Sequence, residues 1–182
     1  MELSSLFVYP FSVKTFILLS AVAGSGKSTW AEQYRLTHKN VFIVSSDALR
    51  KELGGAYQNF EHEAEVWNRF YSDIEKYRDE NEDVTVIADS TNIINKFRIL
   101  YGKNLTGFDK KILVVIKKDK DQILQTNRLR NENRIVPDYA IENMCNNWEE
   151  PDEETLSYYD EYIRIDKWFD SPQVKEDFHY RK

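Results

Sequence analysis

The sequence predicts an α/β fold, with a mostly parallel central sheet and helices on both of its faces. Apolar runs of strand length alternate along the chain with longer segments of helical character, which is the pattern of parallel α/β proteins. The four main apolar runs are also nearly continuous, as expected of strands that helices cover on both faces. Together these observations predict three layers, with the sheet in the middle.

The strands are predicted from runs of β-branched and other apolar residues. They cover about Thr15–Ala21, Val41–Val44, Val84–Ala88 and Ile112–Ile116, and Tyr162–Ile165 is a candidate for a last strand. Asp47 closely follows the second run, and Asp89 directly follows the third. We expect a turn region at Gly102–Gly107, before the fourth strand.

The helices are predicted where apolar residues recur three and four positions apart. The segments are about Lys27–His38, Ala48–Leu53, Glu61–Glu80, Lys120–Arg130 and Asp138–Trp148. Pro137 precedes the last segment and is suited to beginning it. The long third segment carries an apolar stripe that we expect to pack on the sheet. The stripe consists of Ala64, Trp67, Phe70, Tyr71, Ile74 and Tyr77.

A glycine-containing loop between the first strand and the first helix predicts a polyphosphate site. Residues 21–29 read Ala-Val-Ala-Gly-Ser-Gly-Lys-Ser-Thr, which matches the pattern G-x-x-x-x-G-K-[ST] except that Ala21 replaces the first glycine. Gly24 and Gly26 lack a Cβ, so the loop can point its backbone N–H groups at anionic oxygens. Lys27 can reach the β- and γ-phosphates, and Ser28 can ligate Mg²⁺. We expect the nucleotide to contact Ala23, Gly24, Ser25, Gly26, Lys27, Ser28 and Thr29.

The order of strand, loop and helix indicates a three-layer P-loop NTPase fold whose ligand is a nucleoside triphosphate, expected to be ATP. The alternative is a chance glycine turn before a helix, which would not require that order.

Two carboxylates follow predicted strands and are candidates for catalysis and metal binding. The carboxyl ends of parallel strands border the ligand crevice, so Asp47 and Asp89 should emerge beside the triphosphate. Asp89 is placed to hold Mg²⁺ together with Ser28. Asp47 is placed to accept a proton from an attacking hydroxyl. The alternative for Asp47 is a helix N-cap, because a short helix is predicted to begin at Ala48.

Arginines supply a further set of candidates. Arg50 lies three residues after Asp47, hence on the same helical face, and could hold a phosphate or carboxylate of the acceptor. Arg128, Arg130 and Arg134 cluster in a predicted lid over about residues 120–148, where they could neutralise the transferring phosphoryl group. The alternative is a solvated face with cations near a helix C-terminus.

The segment after Asp89 contributes candidates for the acceptor side of the site. Thr91, Asn92 and Arg98 could line it, and the alternative for these residues is a turn followed by a surface charge.

Composition favours a single domain over residues 1–182, with a core at about 14–166, an N-terminal extension at 1–13 and a C-terminal tail at 167–182. The net charge of −6 argues against a sequence-independent nucleic-acid binder, although it allows a local basic channel. Cys145 is the only cysteine, which excludes an intrachain disulfide and fits a cytoplasmic location. We expect no membrane partner, because no apolar run approaches about twenty residues. The oligomeric state is left open.

Four motifs in order carry a family resemblance: Gly24–Ala31, Ser46–Arg50, Asp89–Asn92 and Asn127–Pro137. Over about Lys14–Trp148 the chain resembles the kinase domain of phage-type 5′-hydroxyl polynucleotide kinases and their relatives among P-loop kinases. The resemblance implies that Asp47 is the general base, that Arg50 contacts an acceptor-side phosphate and that Arg130 clamps the donor phosphates. It covers the kinase domain only, so no phosphatase activity is expected.

The expected activity is therefore transfer of the γ-phosphate of ATP to a hydroxyl, with the 5′-hydroxyl of RNA or DNA as the leading acceptor. A small-molecule acceptor is the first alternative, since relatives with the same framework phosphorylate metabolites and the chain is acidic. The second alternative is a nucleotide-dependent switch or adaptor that binds ATP without phosphorylating an acceptor.

Overall fold

A computed structural model describes residues 12–166, and most of the expected extension and the whole expected tail lie outside this range. Within it, five strands form one sheet in the order β2-β3-β1-β4-β5, and every neighbouring pair is parallel. The strands are β1 Lys14–Ser20, β2 Val41–Ser45, β3 Val84–Asp89, β4 Lys110–Ile116 and β5 Glu161–Ile165. The predicted parallel sheet is confirmed, including the short last strand.

Helices connect these strands and also follow one another between β4 and β5. They are α1 Lys27–Thr37, α2 Ser46–Gly54, α3 Glu63–Glu80, α4 Asn95–Asn104, α5 Lys120–Arg128, α6 Asp138–Asn146 and α7 Glu153–Leu156, with a 3₁₀ turn at Glu132–Arg134. In the part of the chain that is described, no helix has the length and apolarity needed to cross a membrane.

The sheet is packed on both faces, as the continuous apolar strands predicted. Side chains alternate between the faces along a strand, so Phe16 and Leu18 of β1 lie in one core cluster, together with residues of α3. Ile17 and Leu19 lie in a second cluster with Trp30 of α1. The α/β fold of three layers predicted from the sequence is thus confirmed.

Two local expectations differ from the structure, and two helices were not predicted. The turn region predicted at Gly102–Gly107 is wrong at its start, because Gly102 lies inside α4. A Cβ at Gly102 would meet the Cβ of Tyr158 at 2.6 Å, so this glycine allows close packing rather than a turn. In α3, Ala64 is exposed and Val66 is fully buried, so the predicted stripe is displaced at its N-terminal end. Neither α4 nor the short helix α7 was predicted from the sequence.

Arg98 was expected to line the acceptor side or to be a surface charge, and the structure contradicts both expectations. Its side chain is fully buried, with a relative exposure of 0%. Its Nε donates to the Ser20 hydroxyl and to the Asn92 carbonyl, both at 3.0 Å. Its terminal nitrogens donate to the Asn95 side chain and to the carbonyls of Glu149 and Ile93. Arg98 therefore ties α4 to the end of β1 and to the segment after α6.

Asn92 is part of the same buried structure. It adopts a positive φ of 45°, a conformation that asparagine tolerates better than most residues. Its side-chain nitrogen donates to the Leu19 carbonyl at 2.9 Å and to the Ser90 hydroxyl at 2.8 Å. Since the amide is buried and already bonded, Asn92 supports the end of β1 and is not positioned as an acceptor contact.

Replacing Arg98 with Met should destabilise the fold strongly, because several buried oxygens would lose their donor. Hydrogen bonds to charged groups contribute about 1.5–3 kcal/mol each, so we expect the free energy of unfolding to fall by about 3 kcal/mol or more. Urea unfolding of the variant measures this change. Lys96→Met, at an exposed position of the same helix, is the control. A loss below about 1 kcal/mol would contradict the structural role assigned to Arg98.

Candidate active site

The phosphate loop connects β1 to α1 and takes the backbone shape that its sequence predicts. Gly24 and Gly26 have φ values of 87° and 96°, a region that favours glycine. Gly26 is the N-cap of α1, so the loop ends at the positive end of a helix dipole. Asn40 and Asn92 are the only described non-glycine residues with positive φ. Position 21 therefore does not have a backbone conformation that requires glycine, and alanine fits there. The N–H of Ala21 donates to the Thr91 carbonyl at 2.9 Å.

Lys27, Ser28 and Asp89 form a charged group at the start of α1. The Ser28 hydroxyl donates to Asp89 Oδ2 at 2.7 Å, and the Lys27 ammonium donates to the Val22 carbonyl at 3.4 Å. Burial lowers the pKa of Lys27, and the charges of Asp89 and then Asp47 oppose that effect. Burial likewise raises the pKa of Asp89, and Lys27 opposes it most strongly. Oxygen donors of this kind suit Mg²⁺, which in nucleotide sites is also bound by substrate phosphates.

Asp47 lies in the first turn of α2 and does not cap the helix. The N-cap is Ser45, whose hydroxyl accepts from the Ala48 N–H at 3.4 Å, so the capping alternative for Asp47 is wrong. The Asp47 side chain is 48% exposed and accepts a hydrogen bond from Arg50 Nη1 at 2.9 Å. Asp47 also acts electrostatically on Lys27, Asp89 and Arg130. A carboxylate that is both solvent-accessible and close to the phosphate loop can accept a proton there.

Arg50 lies beside Asp47 as the spacing predicted, but its guanidinium is bonded within the protein. Nε and Nη2 donate to the two carboxylate oxygens of Glu63 at 2.6 and 3.1 Å. The ring centroids of Phe60 and Trp67 lie 5.1 and 5.7 Å from its central carbon. Arg50 is 9% exposed. These contacts do not support the expectation that Arg50 is free to bind an acceptor phosphate.

The predicted lid consists of α5, the 3₁₀ turn and α6. It packs on the phosphate loop through a small apolar cluster of Val22, Ile123 and Ile141. A Cβ at Gly24 would lie 3.3 Å from Ile123, so glycine also permits this close approach. The Asn127 side chain links the two ends of the connection between α5 and α6. Its Nδ2 donates to the Val136 carbonyl, and its Oδ1 accepts from the Val136 N–H.

The three lid arginines have different surroundings. Arg130 Nη1 is buried and has no hydrogen-bond partner among residues 12–166. Burial and the charge of Arg134 lower the pKa of Arg130, whereas Asp47 and Asp89 raise it. Arg134 lies over the Tyr57 ring, at 4.6 Å from its centroid. Arg128 instead pairs with Asp138 on the exposed surface, so only Arg130 and Arg134 are near the carboxylates.

Several residues near this site were not predicted as site residues. They are Tyr57, Gln58, Phe60, Glu63 and Trp67, from the connection between α2 and α3 and the start of α3. Gln58 donates to the Ile135 carbonyl of the lid, and Trp67 Nε1 donates to Glu63 at 3.0 Å. Glu63 is thirteen residues from Arg50, so no helical spacing in the sequence could have paired them.

Solved structures with the same fold include several P-loop kinases and related proteins. Kti12 from Chaetomium thermophilum, solved with ADP-AlF3, gives a TM-score of 0.65 at 16% identity, covering 89% of this chain and 94% of that one. A fungal RNA kinase gives 0.57 at 13% identity, covering 90% of this chain and 80% of that one. A chain of the Pnkp1/Rnl/Hen1 RNA repair complex gives 0.63 at 18% identity. The match covers 83% of this chain but only 46% of the repair-complex chain.

These likenesses show the P-loop kinase-like fold expected from the sequence. The narrower resemblance to phage-type polynucleotide kinases stays a prediction. Among curated proteins, a sequence search finds no significant match. The profile of a family described as "Chromatin associated protein KTI12" matches residues 15–157. This range includes β2, β3, β4 and all but the first residue of β1, together with the phosphate loop, both carboxylates and the lid. The chain therefore belongs to the KTI12 family.

Proposed function

We propose that this protein is an ATP-dependent phosphotransferase that passes the γ-phosphate to a hydroxyl deprotonated by Asp47. The observation that carries the proposal is the position of Asp47. Its carboxylate is half-exposed and held by Arg50, and it acts electrostatically on Lys27, Asp89 and Arg130 at once. An accessible base at the edge of a cationic phosphate site is suited to activating an acceptor hydroxyl.

In the proposed reaction the acceptor oxygen forms a bond to the γ-phosphorus and loses its proton to Asp47. The bond from that phosphorus to the bridging oxygen breaks, and ADP leaves. Lys27 and the loop N–H groups hold the β- and γ-phosphates, and Arg130, assisted by Arg134, neutralises charge that develops during transfer. Ser28 and Asp89 are the residues that would hold Mg²⁺, which supplies further neutralisation of the phosphate oxygens.

The leading acceptor in this proposal is the 5′-hydroxyl of RNA or DNA. The motifs that resemble polynucleotide kinases support it, and two proteins with a similar fold are named for RNA kinase activity or RNA repair. We further propose that one kinase domain spans the core at about residues 14–166 and the lid at about 120–148. We also propose a cytoplasmic location, which the low cysteine content of the sequence supports.

A second candidate is an ATP-hydrolysing switch, in which water replaces the acceptor hydroxyl. The bonding of Arg50 to Glu63 and Asp47 favours this candidate, because the guanidinium expected to bind an acceptor phosphate is already paired with two carboxylates. A small-molecule acceptor is the third candidate, and the net charge of −6 favours it over a long polyanion.

An acceptor panel tests the proposal directly. The protein is incubated with γ-labelled ATP and Mg²⁺ together with 5′-hydroxyl RNA and DNA oligonucleotides, small polyols and buffer alone. We expect label to appear on the oligonucleotides. Label on a small hydroxyl compound alone would reject the nucleic-acid assignment, and release of inorganic phosphate without any labelled acceptor would favour the switch.

Asp47→Asn should retain the shape of the side chain but lose its basicity. We expect kcat for transfer to fall by about 10²- to 10⁴-fold, the usual contribution of general base catalysis, while ATP still binds. Lys27→Ala should impair ATP binding itself. Kinetics with labelled ATP and calorimetric titration with ATP separate the two effects. Transfer by the Asp47 variant at the wild-type rate would reject its role as the base.

Arg130→Ala should lower the rate of transfer by about a thousandfold or more if this arginine neutralises the transition state. Arg128→Ala is a matched control, since Arg128 belongs to the same lid but pairs with Asp138 on the surface. We expect the control to change the rate by less than about twofold. Single-turnover kinetics give both values, and equal losses in the two variants would contradict the assignment.

A further inference from the structure

The guanidinium of Arg50 is fixed from several directions. Glu63 binds it through two hydrogen bonds along one edge, at 2.6 and 3.1 Å. On the other edge, Nη1 donates to Asp47 at 2.9 Å and to the Ser46 hydroxyl at 3.4 Å. The rings of Phe60 and Trp67 lie within 6 Å of the guanidinium, a distance at which cation–π attraction operates. Arg50 therefore has little freedom to reorient.

Glu63 is itself held by the core of the protein. It is the first residue of α3, and this helix is anchored to the sheet by the fully buried Val66, Phe70 and Ile74. Trp67 Nε1 donates to the same Glu63 oxygen that accepts from Arg50 Nη2. The hydrogen bond from Arg50 is the main cause that lowers the pKa of Glu63, so this carboxylate stays ionised at neutral pH.

The group formed by Arg50, Asp47 and Glu63 carries a net charge of −1, which disfavours a further anion beside it. Arg50 carries one positive charge and contacts two carboxylates, those of Glu63 and Asp47. A bidentate arginine–carboxylate pair is among the strongest and most directional contacts between side chains. An acceptor phosphate would have to displace Glu63 to obtain the same contact. The arrangement is better suited to holding Asp47 than to binding a further anion.

We propose that Glu63 is a positioning residue, which fixes Arg50 and, through Arg50, orients the Asp47 carboxylate toward the hydroxyl whose proton it accepts. This inference rests on the proposed phosphotransfer, because it assigns Glu63 a role in the step that Asp47 performs. It also means that Arg50 supports the base instead of selecting acceptors by their phosphates. Binding of the acceptor must then depend on other residues.

The experiment compares Glu63→Gln with wild type. The substitution keeps the side-chain size but removes the charge and one of the two acceptor oxygens. We expect kcat for transfer to fall by about tenfold or more, whereas KM for ATP and KM for the acceptor stay within about twofold. A structural defect at the fold level would change these KM values or the unfolding midpoint as well. Glu65→Gln, at an exposed position of the same helix, is the matched control and should behave as wild type.

A double-variant cycle tests whether Glu63 acts through Arg50. If it does, adding Glu63→Gln to Arg50→Lys should lower kcat much less than it does in wild type, because linked residues give non-additive effects. Full additivity would overturn the proposal. A fall in KM for phosphate-bearing acceptors in Glu63→Gln would also overturn it, since this result would show that Glu63 masks a phosphate-binding arginine.

Failure of this inference is distinguishable from failure of the proposed function. If the wild-type protein labels no hydroxyl acceptor, the proposed function is rejected. The rate of ATP hydrolysis, in which water is the acceptor, is then compared among the same variants. A readout independent of activity is the NMR signal of the Arg50 Nε–H group. We expect slow solvent exchange of this proton in wild type and in Glu65→Gln, and fast exchange in Glu63→Gln. Unchanged exchange in Glu63→Gln would reject the inference.

Discussion

The parallel register that brings the carboxyl ends of β1, β2 and β3 to one edge of the sheet determines the site. Ser45 of β2 lies opposite Asp89 of β3, and the phosphate loop leaves β1 beside them. Because parallel strands end at the same edge, the charge of Lys27 interacts with Asp89 at the end of β3 and with Asp47 at the start of α2. A change in this register would separate the base, the metal-binding candidates and the phosphate loop from one another.

The charges that meet at this edge depend on one another. Burial disfavours the ionised forms of both Lys27 and Asp89, and each offsets part of that cost for the other. Removing one member of such a group leaves a charge without its partner, which costs more than the pair contributes. Nη1 of Arg130 is also buried and has no hydrogen-bond partner among residues 12–166. A buried guanidinium nitrogen without a partner is suited to binding an anionic ligand, such as the phosphates of a nucleotide.

Much of the fold could be predicted from the sequence, since strands buried on both faces produce continuous apolar runs and the loop motif needs glycine at fixed positions. Gly24, Gly26, Lys27 and Asp89 lie at the sheet edge as expected, although their roles remain predictions. Arg98 could not be interpreted correctly, because an arginine bonded to backbone carbonyls has the same sequence signal as a surface arginine. Glu63 was missed because its pairing with Arg50 exists only after α2 and α3 pack together.

The most direct measurement is a crystal structure of the protein with ADP, Mg²⁺, a metal fluoride that mimics the transferring phosphoryl group and a 5′-hydroxyl oligonucleotide. We predict that an Asp47 carboxylate oxygen lies within about 3.2 Å of the acceptor hydroxyl, with Arg130 contacting the fluoride group. A structure in which the acceptor oxygen is in line with the mimic but Asp47 points away, toward solvent, would contradict the central claim.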